Sequence, residues 1–232
     1  MTPTPHTGTL VLASSSPRRR SLLASLSTDV ISRSPEIDET PLADETPEAL
    51  VARLSIAKAG AVRSSGEVVL GSDTVVVLDG PDTTSILGKP TDPAHARKML
   101  TSLSGRTHRI LTGVAVLGPA EQRQVEIDQV SVTMRPLPAA LIEWYLTTGE
   151  GHDKAGAYAI QGLAGSFVET IEGSPTAAIG LGLTTTSRLL TNAGIPLHGN
   201  LDPPPDGAHL PPGKTHLPSG GLDRPSGSSA TD

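Results

Sequence analysis

Three consecutive arginines, Arg18 to Arg20, follow a Ser16-Pro17 pair near the start of the sequence. Serine is a preferred helix N-cap and proline suits the first helical position, so the arginines are predicted to lie in the first turn of a helix. Cations are unfavourable there because the helix dipole is positive at that end, whereas the free backbone N–H groups attract anions. The turn therefore indicates either a phosphate site or a solvated basic surface.

An aspartate interrupts an otherwise apolar strand. Asp73 lies within Gly71-Ser72-Asp73-Thr74, inside a valine-rich run from Val68 to Leu78. Burying a carboxylate is costly unless it binds a metal or accepts hydrogen bonds. Asp73 is therefore a candidate metal ligand or general base for water, and the alternative is an aspartate that caps backbone groups at a kink in the strand.

Two further segments carry residues suited to a nucleotide. In Gly88-Lys89-Pro90 the lysine could contact a phosphate or simply lie on the surface, and Thr83 and the proline exclude a Walker A loop. The segment from Asp153 to Gly162 is rich in small residues, which let a backbone approach a ligand closely. It contains Gln161, which can both donate and accept a hydrogen bond, as recognition of a base requires.

Alternating strands and helices must position these residues. Apolar runs predict strands over 9–13, 68–78, 85–87, 109–117, 125–134 and 167–168, and capping signals and helical spacing predict helices that begin near residues 17, 47, 93, 138 and 184. The second helix is expected to bury Leu50, Leu54, Ala57 and Ala61. Alternation of this kind predicts the α/β class.

The composition limits the function classes. The 232 residues carry a net charge of −6, which argues against a protein that wraps a long nucleic acid. The absence of cysteine excludes disulfides and thiolate metal sites. Neither a signal peptide nor an apolar run of ~20 residues is evident, so a cytoplasmic location without membrane contact is expected.

The composition changes near residue 199. Proline and glycine dominate from 199 to 232, with few side chains that could bury apolar area. Residues 1–198 are therefore predicted to form the functional domain, and 199–232 a disordered tail that is passive rather than a partner-binding segment.

Four motifs in this order resemble the Maf family of nucleotide pyrophosphatases over roughly residues 9–190. The motifs are Leu12-Ala13-Ser14-Ser15-Ser16-Pro17-Arg18-Arg19, Ser72-Asp73-Thr74-Val75-Val76, Gly88-Lys89-Pro90, and Asp153-Lys154-Ala155-Gly156-Ala157-Tyr158 with Gln161-Gly162. The resemblance implies a Maf/inosine-triphosphatase-like α/β fold, with an elongated mixed sheet, flanking helices and two lobes around a cleft. It also implies hydrolysis of a nucleoside triphosphate to the monophosphate and diphosphate.

The same resemblance implies the site residues. Asp73 is the expected general base and, together with Glu39, the expected ligand set for a divalent cation, Mg²⁺ or Mn²⁺. The expected substrate contacts are Ser14, Arg18, Arg19, Lys58, Thr74, Lys89 and Gln161. Stabilisation of developing phosphate charge by such cationic groups is consistent with this chemistry.

The branch of the family that resembles dTTP/UTP pyrophosphatases carries arginine, threonine and glutamine at its specificity positions, here Arg18, Thr74 and Gln161. A pyrimidine triphosphate is therefore the expected partner. The sequence departs from the family pattern at Gly180-Leu181-Gly182, where the third residue is usually proline, so the nucleotide preference could be broader. A non-catalytic nucleotide-binding regulator of cell division is the alternative function, and a homodimer is left open.

Overall fold

The computed structural model describes residues 9–27, 29–81, 83–119 and 122–198, all of which belong to one compact unit. The predicted tail, 199–232, lies outside the described residues. A mixed sheet has the order β2-β1-β3-β5-β6-β7, and β4 pairs with β3 alongside this path. The strands are β1 (Leu10–Ala13), β2 (Val30–Arg33), β3 (Val68–Asp79), β4 (Thr84–Leu87), β5 (Thr107–Leu117), β6 (Arg123–Met134) and β7 (Val168–Glu172). The sheet and its flanking helices confirm the α/β class.

Each of the first three helices begins at the cap that the sequence predicts. The side chains of Ser16, Thr46 and Asp92 accept hydrogen bonds from the backbone N–H three residues later, and proline follows each cap. Such a cap satisfies one of the free N–H groups of the first turn. The helices are α1 (Pro17–Ala24), α2 (Pro47–Ala61), α3 (Pro93–Leu103), α4 (Ala139–Thr147), α5 (Pro175–Ile179) and α6 (Leu183–Asn192).

The central strand β3 sends alternate side chains to the two faces of the sheet. On one face, Val75 and Val77 pack against Leu50 and Leu54 of α2. The opposite face carries two separate apolar clusters. One contains the first half of β3 with α1 and α6, and the other contains the second half of β3 with α3 and α4. Between these clusters the same face of β3 presents Ser72 and Thr74, so a polar belt separates the two apolar halves.

One edge of β3 is unpaired at its middle. The parallel strand β1 stops at Ala13, opposite Gly71, and the antiparallel strand β4 stops at Leu87, opposite Val76. Residues 72–75 therefore have no strand beside them on that edge. The segment that follows β1 and the segment that follows β4 approach this window from opposite directions.

The structure corrects four details of the sequence-based predictions. Strand β2 and the short helix α5 were not predicted. The strand expected at residues 167–168 begins at Val168, because Phe167 closes a 3-10 helix (Leu163–Phe167). Ala61 is exposed rather than part of the buried face of α2. None of the helices in the described part of the chain has the length and apolar character needed to cross a membrane.

Candidate active site

A cavity of about 590 Å³ opens at the unpaired window of β3. Its walls come from the β1–α1 turn, the segment before α2, α2 itself, the end of β4, the segment after α4, and α5. The cavity is lined by all nine residues that the sequence predicts for the site, namely Ser14, Arg18, Arg19, Glu39, Lys58, Asp73, Thr74, Lys89 and Gln161. The fold thus brings together residues that are up to 147 positions apart in the chain.

A buried ion pair lies at the centre of the cavity. The Lys58 ammonium nitrogen is 2.6 Å from Asp73 Oδ1, and each side chain is only 7% exposed. Glu39 Oε1 is 3.0 Å from the same nitrogen, but its side chain is 47% exposed. Lys58 therefore compensates the charge of the Asp73 carboxylate, which is buried within a valine-rich strand. The same ammonium also joins Asp73 and Glu39 in one cluster.

Two glycines allow α2 to lie this close to the sheet. A Cβ atom at Gly71 would be 2.1 Å from the Ser55 carbonyl oxygen, and one at Gly113 would be 2.4 Å from the Val51 carbonyl oxygen. Both contacts are with helix backbone, which cannot rotate away. Gly113 is also the cross-strand partner of Asp73. The short Asp73–Lys58 distance therefore depends on the absence of side chains at these positions.

The first turn of α1 forms a second wall. Ser14 Oγ accepts a hydrogen bond from the Ser16 N–H at 3.1 Å, which shapes the turn that leads into the helix. Arg18 and Arg19 both line the cavity, whereas Arg20 is exposed and lies outside it. An Arg18 guanidinium nitrogen lies 4.0 Å from Asp153 Oδ2, across the cavity. The turn therefore presents two of its three arginines to the interior.

The Arg19 guanidinium is fixed by the polar belt of the sheet. Its Nε donates to the Gly180 carbonyl at 2.9 Å, and its Nη2 donates to Thr74 Oγ1 at 3.0 Å. Ser72 Oγ donates to the same Gly180 carbonyl at 2.9 Å. The Gly180-Leu181-Gly182 segment, where the sequence departs from the family pattern, thus holds an arginine of the site through its backbone.

The opposite wall consists of the Lys89 turn and the segment from Asp153 to Gln161. The Gly156 N–H donates to the Gly88 carbonyl at 3.1 Å, which joins the two segments. Lys89 and Gln161 are exposed at this wall. Lys154, which forms an ion pair with Asp153, also lines the cavity and adds a cation that the sequence did not assign to the site.

Tyr158 lines the cavity and also belongs to the apolar core. Its hydroxyl is 2.7 Å from Nε2 of the buried His108. Burial lowers the pKa of His108 to about 4 and raises the pKa of Tyr158. Both groups are therefore neutral at pH 7, and the pair fixes the tyrosine ring at the cavity wall.

The segment that carries Glu39 is fastened to α2 by a salt bridge. Arg53 donates to Glu45 Oε1 at 2.6 Å and Oε2 at 2.8 Å, and also to the Thr40 carbonyl at 3.1 Å. The Arg53 guanidinium lowers the pKa of Glu45 to about 2. This clamp lies next to Glu39 in the chain, so it limits how far that carboxylate can move from Lys58.

Comparison with known proteins shows the family of the chain. A family model described as "Maf-like protein" matches residues 9–193. The chain belongs to the Maf-like family. A relative from Anaeromyxobacter dehalogenans, named dTTP/UTP pyrophosphatase, is 49% identical over 191 residues that cover 81% of this chain and 95% of the relative. A relative of the same name from Myxococcus xanthus is 48% identical over 190 residues, covering 81% and 94%.

Two solved structures align with part of the chain at low identity. The Staphylococcus aureus Ham1 protein is 20% identical with a TM-score of 0.38, covering 54% of this chain and 71% of that chain. A nucleoside-triphosphatase/dITP/XTP pyrophosphatase from Mycobacterium abscessus is 16% identical with a TM-score of 0.35, covering 56% and 76%.

Sequence reasoning missed Lys154, Thr112 and Gly113. Lys154 stands in a motif that was noted for its glycines and its glutamine, and its position next to Asp153 was the available signal. Thr112 and Gly113 lie in an apolar strand and matter only because they pair across the sheet with Thr74 and Asp73. No local pattern reveals such a partnership.

Proposed function

We propose that this protein hydrolyses a nucleoside triphosphate, with dTTP or UTP preferred, to the monophosphate and diphosphate. Water attacks the α-phosphorus, the bond from that phosphorus to the bridging oxygen of the diphosphate breaks, and one proton leaves the water. In this proposal Asp73 takes that proton as general base. Oδ1 is already engaged by Lys58, so the proton goes to Oδ2.

The observation that carries the proposal is the Asp73–Lys58 pair at the unpaired window of β3. A carboxylate and an ammonium 2.6 Å apart, each only 7% exposed, lie in a cavity whose other walls supply further cations. A purely structural ion pair would not require such a cavity. Membership of the Maf-like family and the names of the relatives support the same reaction.

The remaining cations suit a triphosphate. Arg18, Arg19, Lys89 and Lys154 all line the cavity. Charge grows on the diphosphate as it leaves, and cations placed beside it stabilise that charge. We assign the phosphates to Ser14, Arg19, Lys89 and Lys154, and contacts with the base to Arg18, Thr74 and Gln161.

Two carboxylates fit the donor set of a cation carried by the substrate. Mg²⁺ is commonly held by one or two carboxylates together with substrate phosphates rather than by a cage of protein ligands. Glu39 and Asp73 both approach the Lys58 ammonium, within 3.0 Å and 2.6 Å. In the described residues no third acidic or histidine side chain joins them. When bound, Mg²⁺ or Mn²⁺ would neutralise phosphate charge beside these two residues.

The test measures diphosphate release from a panel of nucleoside triphosphates with Mg²⁺ or Mn²⁺. Asp73→Asn should abolish release while the protein stays folded, although its melting temperature should fall because Lys58 loses its buried partner. Asp79→Asn is the matched control, because Asp79 lies at the end of the same strand and pairs with Arg109 outside the cavity. Tight nucleotide binding without any turnover by the wild type would instead support the regulator hypothesis and refute the enzyme.

A further inference from the structure

A row of hydroxyl groups leads from the cavity into the protein interior. Arg19 Nη2 is 3.0 Å from Thr74 Oγ1, which is 2.9 Å from Thr112 Oγ1, which in turn is 2.8 Å from the Ala177 carbonyl oxygen. Thr112 is completely buried and lies opposite Thr74 in the β3–β5 register. The row therefore runs from a cavity arginine, through two adjacent strands, to the backbone of α5.

The direction of every hydrogen bond in this row follows from counting protons. A hydroxyl carries a single proton, and a carbonyl can only accept. Thr112 must therefore give its proton to the Ala177 carbonyl, and in the 2.9 Å contact Thr74 is the donor. Arginine can only donate, so Thr74 accepts from Arg19. Thr74 thus donates its proton to Thr112 and cannot donate it to a ligand in the cavity.

A hydroxyl in this state offers the cavity only a lone pair. The ligand group that meets Thr74 must therefore carry an N–H or O–H donor, and an ionised phosphate oxygen does not. The free lone pair of Thr74 is suited to a base or a sugar, and the phosphates are left to the lysines and arginines that line the cavity. The direction of the Thr74 hydrogen bond depends on Thr112, although Thr112 is buried and does not line the cavity.

We propose that Thr112 is a positioning residue that makes Thr74 an obligate hydrogen-bond acceptor and thereby selects a base whose ring nitrogen N3 carries a proton. The proposal rests on the proposed function, since it concerns the choice among triphosphates. The thymine and uracil rings of a nucleotide have one N–H, at N3. In cytosine N3 carries a lone pair instead, which would face the lone pair of Thr74.

The experiment compares dTTP with 5-methyl-dCTP, because thymine and 5-methylcytosine differ only at N3, which is protonated in thymine, and at the adjacent C4, which carries an oxygen in thymine and an amino group in 5-methylcytosine. The ratio of kcat/KM for the two substrates is measured for the wild type, Thr112→Val and Thr112→Ser. Valine has the shape of threonine without the hydroxyl, so the Thr74 proton is released and can be donated to N3 of cytosine. The ratio is expected to fall at least about tenfold in Thr112→Val, and Thr112→Ser should retain the wild-type ratio.

Thr107→Val is the matched control. Thr107 lies on the same strand, and its hydroxyl is 2.9 Å from that of Thr133, but this pair is exposed and lies outside the cavity. The control should leave the ratio unchanged. A structural defect would lower turnover of both substrates together, whereas the proposal requires their ratio to change.

Two results would overturn the proposal. One is an unchanged ratio in a folded, active Thr112→Val variant, and the other is an equal fall in Thr112→Ser, which would assign the effect to packing. If Thr112→Val does not fold, the wild-type ratio decides: equal turnover of both substrates refutes an acceptor-only Thr74, and a strong preference for dTTP supports it. Failure of the wild type to cleave any triphosphate would instead refute the proposed function.

Discussion

Replacing Gly71 with alanine should displace helix α2 from the sheet. The new Cβ would be 2.1 Å from the Ser55 carbonyl oxygen and 2.8 Å from the Ala59 nitrogen. Ordinary contact begins at 3.4 Å, so the first distance falls short by about 1.3 Å. Both neighbours are backbone atoms of α2, and neither can move without the helix.

The size of the effect follows from what α2 carries. Overpacking a well-filled core typically costs 1–3 kcal/mol, and we expect a loss of about 3 kcal/mol because the contact involves helix backbone. A retreat of about 1.3 Å would also stretch the 2.6 Å contact between Lys58 and Asp73 towards the limit of an ion pair. Misplacement of a reacting group by 1 Å can lower turnover about 100-fold, so kcat should fall more than KM changes.

The assay combines urea unfolding with steady-state diphosphate release. Gly60→Ala is the control, because Gly60 lies in the same helix and a Cβ there meets nothing within 4 Å. That variant should be more stable than the wild type, by about 0.4–1 kcal/mol, and fully active. If Gly71→Ala has the unfolding curve and the turnover of the wild type, the close approach of α2 does not set the geometry of the Asp73–Lys58 pair, and the absence of a side chain at Gly71 is not what allows that pair.

Three further predictions concern other charged or buried groups. Lys58→Met leaves the Asp73 carboxylate buried without its ammonium and should destabilise the protein by about 3 kcal/mol in urea unfolding, with part of this recovered in Lys58→Met/Asp73→Asn; equal stability of the single and double variants would contradict it. Burial lowers the pKa of His108 to about 4 in the folded protein, below the ordinary histidine value of 6.5, so the unfolded chain binds a proton first as pH falls. The contribution of His108 to the free energy of unfolding should be complete above pH 6.5 and about 2 kcal/mol smaller at pH 5. Unfolding curves of His108→Gln measured under the same two conditions should lack this difference. Arg53→Ala releases the clamp on Glu45 and should lower kcat/KM about tenfold, and it should raise the Mg²⁺ concentration needed for half-maximal activity. An unchanged Mg²⁺ requirement would show that the segment carrying Glu39 holds its position without Arg53.

The sequence predicted those parts of the fold that depend on local signals. The caps at Ser16, Thr46 and Asp92 each marked a helix start, because a cap and a following proline act within one turn. Helix α5 has the same kind of cap at Ser174, but its five residues are too few to show a period. Strand β2 was missed for a similar reason, since Val30–Arg33 is short and only partly buried.

The site was predictable as a set of residue types but not as a set of contacts. The resemblance to the family supplied nine of the residues that line the cavity, seven of them in its motifs. They did not show that Lys58 pairs with Asp73, nor that Arg19 rather than Arg18 contacts Thr74. These contacts depend on the register of β3 with β5 and on the height of α2 above the sheet, which are properties of distant parts of the chain.

The window in the edge of β3 means that strand length, rather than any side chain, sets the dimensions of the cavity. From Gly71 to Val76 the unpaired stretch is roughly 16 Å at the usual rise of a strand. One residue added to the pairing of β1 or β4 would shorten it by about 3.3 Å. Point substitutions cannot reproduce this change, but a single insertion or deletion beside either strand can. Length variation at these two strand ends is therefore a route by which relatives of this protein could come to accept shorter or longer substrates.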